Sequence, residues 1–307
     1  MFRLTLLLAL LLAHAMVAQS ALAQNCANVK SGLNANQKPQ NTGRDIVGQS
    51  LDDIEKQGWI TFAVYEDFAP YSYEQDGKLK GIDIDLGNLI AEKLGVEARF
   101  YATQAAENVD GDLRINVWKG RLIGGQIANV MLHIPYNREL ACRNEQVVLN
   151  GQYFNERIGI AFRKSEYPDG GPLPAYFRYD SVGVENDTIS DFYLSGLAGG
   201  QIIPKMQRFK SYDAAMAALR DGKVMAVMGP MAQLEHGIAQ DSTEDLTVHT
   251  PPLPGLASSQ WTLGVAVRHT WRPLSYAVDD AIRAALVDGA LEAIFKSHEL
   301  SFTPPKW

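Results

Sequence analysis

Short apolar segments alternate along this chain with segments whose apolar residues recur at helical spacing. Ile60, Phe62 and Val64 alternate with smaller or polar residues, a pattern that predicts a β-strand. From Asp83 onward, apolar residues recur three and four positions apart until Gly95, which predicts a helix. Because this alternation recurs through most of the chain, we predict an α/β architecture with mostly parallel sheets flanked by helices.

The later part of the chain repeats the alternation and suggests a division into two lobes. Further strands are predicted in ARFYA, NVMLHI, QVVLN, RIGIAFR, SVGVEND, VMAVMG and TLGVAVR, and helices at 211–220 and 273–300 with a break near 288–289. Stretches rich in proline and glycine, EYPDGGPLP and TPPLPGLASS, enclose a block that reads as an inserted lobe. Two strands that cross between the lobes, near 153–160 and 260–266, are expected to form a hinge.

Composition excludes several classes of protein. The 307 residues include 28 Lys and Arg against 35 Asp and Glu, a formal net charge of -7, so a broad basic surface for nucleic acid or anionic membrane is not expected. Two cysteines, Cys26 and Cys142, are too few for a multi-disulfide scaffold or a cysteine-rich zinc module. They either form one disulfide with each other or remain separate thiols.

The N-terminus predicts export. Residues 1–23 have a basic start, an apolar run and a small-residue site, the layout of a cleavable secretory signal peptide. We therefore expect a periplasmic protein, with residues 24–50 as a poorly ordered arm. A lipoprotein anchored through Cys26 is the alternative, but Gln24 and Asn25 are not the small residues that such a signal requires.

No familiar catalytic motif is visible, and the six histidines never pair at metal-binding spacing. His133 stands between apolar residues and is predicted to be a satisfied core or cleft-rim histidine. Asp83 and Asp85 are expected to interact with a helix dipole rather than to form an acid/base pair. The sequence therefore predicts neither an enzyme nor a resident cofactor.

The segment VYEDFAPYSYEQDGKLKGIDIDLGNLIAEKLG resembles the opening of the bacterial extracellular solute-binding proteins of family 3, the periplasmic amino-acid-type receptors of ABC importers. The residues that match the family's aromatic loop, glycine turn and helix start are Phe68, Pro70, Tyr71, Gly77, Gly81, Ile82, Asp83 and Asp85. Three later segments, QYFNERIGIAFRK, SVGVENDTISDF and the stretch from TLGVAVR to FKSH, resemble family segments in the same order.

The resemblance implies the two-lobed, type II periplasmic-binding fold. Lobe 1 is expected at 51–156 plus 266–307 and lobe 2 at 157–265. Such a protein is a monomeric receptor that captures a small carboxylate ligand between its lobes and delivers it to an inner-membrane ABC permease.

Candidate ligand-binding residues follow from the matched segments. Phe68 and Tyr71, on a loop stiffened by Pro70, could hold a planar or aliphatic ligand between their rings, or could simply pack in the core. Thr188, preceded by Asp187, lies at a predicted helix N-terminus that could hold a carboxylate or be an ordinary N-cap.

In family members that bind amino acids, an arginine holds the α-carboxylate and an aspartate pairs with the α-ammonium. The resemblance points to Arg143 as this arginine, with Arg138 as the second candidate, while Met228 or Gly229 replaces the aspartate. Because an unpaired buried charge is costly, an ordinary amino acid is disfavoured as the ligand.

The segment DLRINVWKGRLIGGQ brings an indole and three cations together: Arg114, Trp118, Lys119 and Arg121. It resembles a branch of the family from bacteria with quinone-dependent alcohol dehydrogenases. If these side chains face the cleft, the expected ligand is an aromatic polycarboxylate such as pyrroloquinoline quinone. If they do not, Trp118 packs in the core and the arginines face solvent.

Two other functions stay open. Some proteins of this architecture are cleft enzymes of the cyclohexadienyl dehydratase type, for which His133 or Glu185 would be the general acid. An accessory protein that docks onto a periplasmic quinoprotein dehydrogenase is the other alternative.

Overall fold

The computed structural model of the protein describes residues 48–120 and 127–306. The predicted signal peptide, most of the predicted arm, Cys26 and Arg121 lie outside the described residues. Within them, no helix combines the length and the apolar character that a membrane span requires.

Helices and strands alternate as predicted. The α-helices, α1 to α9, are Leu51–Gln57, Ile82–Leu94, Val109–Leu113, Arg138–Arg143, Ile189–Gly196, Tyr212–Arg220, Met231–Ala239, Arg272–Val287 and Ala290–Ser297. The strands, β1 to β11, are Trp59–Tyr65, Tyr73–Gln75, Lys78–Lys80, Glu97–Thr103, Val130–Pro135, Val147–Arg163, Val182–Glu185, Met206–Phe209, Ala226–Pro230, Leu246–His249 and Gln260–Arg268. A single π-helical turn covers Arg114–Trp118.

The large sheet has the strand order β4-β1-β5-β11-β6-β9-β7-β8, and β10 also pairs with β6. The long strand β6 belongs to two lobes: its residues 147–157 pair with β11, and its residues 158–163 pair with β9 and β10. We call the part built on β4, β1, β5 and β11 the first lobe, and the part built on β9, β7, β8 and β10 the second lobe.

Two details differ from the sequence-based expectation. The segments QVVLN and RIGIAFR are not separate strands but the two ends of β6, because the residues between them stay paired with β11 apart from one irregularity. The sheets are parallel only away from the crossing: β1 pairs in parallel with β4 and β5, and β7 with β8 and β9, whereas β6 and β11 pair antiparallel with all their neighbours.

Each lobe has apolar clusters that pack helices onto its sheet. In the first lobe, Phe62, Ile90 and Ile282 belong to one cluster, and Leu113, Met131 and Leu140 belong to another. In the second lobe, two further clusters are built around Phe177 and Leu219. Apolar packing of helices against each sheet therefore stabilises each lobe.

Local signals explain several element boundaries. Ser50 forms a capping box with Asp53 at the start of α1. The predicted break at 288–289 is present, since Gly289 adopts a φ of 81° between α8 and α9. Cys142, on α4, is disulfide-bonded and is not a free thiol.

The two lobes meet at Glu156, in the middle of β6. Its side chain is buried, and its carboxylate accepts hydrogen bonds from the Tyr71 hydroxyl at 2.5 Å and from the Arg157 N–H at 2.8 Å. The N–H of Ala232, at the start of α7 in the second lobe, also donates to it. Burial raises the pKa of Glu156, and these hydrogen bonds oppose that rise.

The C-terminal segment after α9 reinforces the same crossing. The Thr303 carbonyl accepts from the Asn155 N–H at 2.8 Å, and the Thr303 hydroxyl accepts from Arg157 at 2.9 Å. The Ser301 N–H donates to Glu235 of α7 at 2.8 Å. A first-lobe segment is therefore bonded both to β6 and to a second-lobe helix.

We expect Glu156→Leu to lower the free energy of unfolding by about 2–4 kcal/mol, because three donors lose their acceptor in a buried site. Glu156→Gln should lower the free energy of unfolding by less than about 1 kcal/mol. The amide keeps one acceptor oxygen and avoids the free-energy cost of burying a charge. Urea unfolding measures both. Equal stability of the two variants would contradict the importance of these hydrogen bonds.

Candidate functional site

A cleft of about 570 Å³ lies between the lobes, and we call it the interlobe cleft. The first lobe contributes the loop after β1 and the start of the β2–β3 hairpin, and the second lobe contributes the end of β7, the start of α6 and α7. Its lining residues are Asp67, Ala69, Tyr73, Glu74, Gln75, Glu185, Lys210, Ser211, Asp213, His236 and Gln240.

Two contacts bridge the lobes at this cleft. The Gln233 amide donates to the Ala69 carbonyl at 3.4 Å, and the rings of Tyr73 and His236 lie 5.9 Å apart. Burial lowers the pKa of His236, which favours its neutral form at pH 7.

The lining is rich in carboxylates. Asp67, Glu74 and Asp213 are exposed at the rim, and Glu185 is half-buried at the end of β7. Lys210 is the one lysine among the described residues that line the cleft, and no arginine lines it. The interlobe cleft therefore attracts positive charge rather than negative charge.

Glu185 has an unusual environment. Burial raises its pKa to about 7, the Tyr212 N–H hydrogen bond opposes that rise, and the nearby Asp213 charge adds to it. A carboxyl group that titrates near neutral pH inside a cleft is a common feature of binding and catalytic sites.

The rings of Phe68 and Tyr71, which were predicted to contact a ligand, are not both accessible from this cleft. Phe68 and Tyr71 stack on each other with centroids 5.4 Å apart, and Tyr71 is only 1% exposed. Tyr71 lies in the core because its hydroxyl is bonded to Glu156. A ligand between the two rings, as the sequence suggested, would have to separate them.

His133 packs edge-on against this pair, with its ring centroid 4.8 Å from Phe68 and 4.1 Å from Tyr71. Its Nδ1 lies 3.6 Å from the Asp83 carboxylate, which is fully buried and accepts a hydrogen bond from the Tyr153 hydroxyl at 3.1 Å. Asp83 is in the first turn of α2, as the sequence predicted, and its carboxylate is buried in the interior of the first lobe.

The predicted cations do not come together in the interlobe cleft. Arg143 pairs with Asp110 at 3.3 Å, and Arg138 is exposed at the start of α4. Trp118 is buried in a first-lobe cluster, which is the packing alternative, and neither it nor Arg114 is among the described residues that line the cleft. The site for an aromatic polycarboxylate is therefore not assembled there.

Thr188 is the N-cap of α5 and lies beside the cleft. Its hydroxyl accepts from the Asp191 N–H at 3.4 Å and donates to the Glu185 carbonyl at 2.8 Å. Asp187, at a φ of 59°, is exposed at the same turn. These two residues shape the turn that follows Glu185.

The structure also explains the missing aspartate on β9. A side chain at Gly229 would collide with the ring of Tyr212, and Met228 is fully buried. Carboxylates reach the cleft from other elements instead, chiefly Glu185 and Asp213. Sequence reasoning considered Glu185 only as a general acid, although its position at the carboxyl end of a parallel strand was a signal for ligand binding.

No group of three or more potential metal ligands is found within residues 48–120 and 127–306.

Known proteins match this chain in sequence and fold. The model of the bacterial extracellular solute-binding proteins, family 3, matches residues 60–114. The probable ABC transporter arginine-binding protein ArtJ of Chlamydia trachomatis is 26% identical over 243 residues, which are 78% of this chain and 82% of ArtJ.

Three solved structures show the same fold. An ancestral cationic amino acid solute-binding protein, AncCDT-1, has a TM-score of 0.64 at 19% identity, covering 80% of this chain and 98% of that one. An amino acid ABC transporter substrate-binding protein from Streptococcus pneumoniae, bound to L-arginine, has a TM-score of 0.60 at 21% identity, covering 84% and 100%. The L-cysteine receptor of Neisseria gonorrhoeae has a TM-score of 0.55 at 19% identity, covering 81% and 93%.

The protein has the two-lobed fold of the type II periplasmic binding proteins, as the sequence predicted. In sequence the chain is similar to the bacterial extracellular solute-binding proteins of family 3, through residues 60–114, and to ArtJ.

The raised pKa of Glu185 predicts a pH dependence of stability without ligand. Because the folded-state pKa is about 7 and the ordinary value is 4.5, its favourable contribution is present below pH 4.5 and is lost as pH rises towards about 7. Urea unfolding across this range should show a smaller loss in Glu185→Gln than in the unmodified protein. The matched control Glu166→Gln, at an exposed site, should follow the unmodified protein; identical curves for all three would contradict the assignment.

Proposed function

We propose that this protein is the periplasmic receptor of an ABC uptake system and that it captures a small basic solute in the interlobe cleft. The observation that supports a basic ligand is the excess of carboxylates over cations among the residues that line the cleft. This proposal replaces the anionic ligand expected from the sequence, because Arg114, Trp118 and Arg143 do not line the cleft in the described structure.

The charges suggest how such a solute would be held. Glu185 and Asp213 of the second lobe line the same cleft as Asp67 and Glu74 of the first lobe. A cation between them would interact favourably with both lobes, and its binding would lower the pKa of Glu185. Lys210 offers one positive charge for a carboxylate on the same solute. A basic amino acid or a diamine fits this pattern.

The relatives support the receptor role more than an enzymatic one. ArtJ is a probable arginine-binding protein, and two of the similar structures are those of amino acid binding proteins. In this proposal the protein is exported by the predicted signal peptide and delivers its solute to an inner-membrane permease as a monomer.

Binding tests the ligand class directly. We expect calorimetric titration of the mature protein to detect L-arginine or butane-1,4-diamine, and to detect pyrroloquinoline quinone weakly or not at all. Glu185→Gln should weaken the affinity for the basic ligand at least about tenfold, which corresponds to about 1.4 kcal/mol, while Glu166→Gln should leave this affinity unchanged.

The affinity for the basic ligand should rise with pH through about 7 as Glu185 ionises, and this rise should be absent in Glu185→Gln.

Tight binding of pyrroloquinoline quinone, with no binding of L-arginine or butane-1,4-diamine, would contradict the proposed ligand class. The raised pKa of Glu185 is also compatible with a general acid, so the same protein should be incubated with a prephenate-like compound. Turnover that is lost in Glu185→Gln would replace the receptor with a dehydratase-type enzyme.

A further inference from the structure

The side chain of His133 fills a space in the first lobe that has the character of a binding site. Phe68 and Tyr71 place their rings against it, and Tyr65 lies edge-on at 6.3 Å. The buried carboxylate of Asp83 stands at the end of this space. We call Phe68, Tyr71 and Asp83 the aromatic cage.

The cage favours a cation. Aromatic faces attract positive charge, and a fully buried carboxylate needs a positively charged or hydrogen-bonding partner. Neither Asp83 Oδ2 nor His133 Nδ1 has a hydrogen-bond partner among the described residues. The two atoms lie 3.6 Å apart, within ion-pair distance of each other. The other titratable groups nearby, Tyr153 and Glu156, supply no positive charge.

The backbone at this position is unusual. His133 has a φ of 59° within β5, a left-handed conformation that glycine adopts at no steric cost and that other residues rarely adopt. A residue held in a rarely populated backbone conformation next to a cleft is a reason to ask what its side chain does. Here the imidazole is the part of the chain that fills the cage.

We propose that His133 is a specificity-determining residue, whose imidazole occupies a cation-binding cage formed by Phe68, Tyr71 and Asp83. The cage adjoins the interlobe cleft, because Asp67 and Ala69 of the same loop line that cleft. With His133 in place, a solute is confined to the outer, polar part of the cleft. The inference goes beyond the proposed function and does not depend on the identity of the natural solute.

Emptying the cage provides the test. His133→Gly removes the imidazole and suits the positive φ, so imidazole added to the solution can take its place. At about pH 6 imidazole is largely protonated, whereas its isomer pyrazole has the same size and is neutral. Thermal unfolding of each variant is followed with each compound.

We expect imidazole at about ten times its dissociation constant to raise the folded-to-unfolded ratio of His133→Gly about tenfold, and to raise Tm by about 2–4 °C. Pyrazole should have a much smaller effect, and the unmodified protein should respond to neither compound. Adding Asp83→Asn to His133→Gly should abolish the response, whereas adding Glu185→Gln should preserve it.

Three results would overturn the proposal: an equal response to imidazole and pyrazole, a response that survives Asp83→Asn, or no response in His133→Gly. The first two would mean that His133 only fills core volume. If His133→Gly does not fold, His133→Ala leaves a cage of similar size and is tested in the same way. Because Glu185→Gln disables the interlobe cleft but not the cage, failure here is distinguishable from failure of the proposed function.

Discussion

The buried carboxylate of Glu156 is the interaction on which the two-lobed arrangement depends. It lies where β6 passes from one sheet to the other, and it joins a first-lobe loop through Tyr71 to a second-lobe helix through Ala232. A buried acid is costly unless its acceptor sites are used, so the geometry of both partners is restricted by this residue. The loop that carries Tyr71 also carries cleft residues, and α7 carries others. The shape of the cleft is therefore determined by a hydrogen-bonded junction beneath it.

The junction lies close to a buried aromatic cluster and to a cleft lined with carboxylates. The rings of Phe68 and Tyr71 pack with His133 inside the first lobe, while carboxylates line the outer cleft. The electrostatic field of the cleft carboxylates extends beyond the cleft and would attract a basic solute before contact. Ion pairs formed at the exposed rim of the cleft would each contribute little binding energy, because water and salt screen them.

Much of the fold could be predicted from sequence, because local patterns determine it. Period-two alternation identified β1, helical spacing identified α2, and Gly289 marked the break between α8 and α9. The merging of two predicted strands into β6 could not be seen, since it depends on pairing with β11, about 110 residues later in the chain. The candidate site was harder still. Trp118 and Arg143 had the right chemistry for an anion, but their directions are decided by tertiary packing and by Asp110.

The order of elements along the chain has a consequence for biosynthesis. The first lobe contains β1 from the early part of the chain and β11, α8 and α9 from the late part, and Thr303 completes the bonding at the crossing. A nascent polypeptide on the ribosome cannot close this lobe until those late residues have emerged.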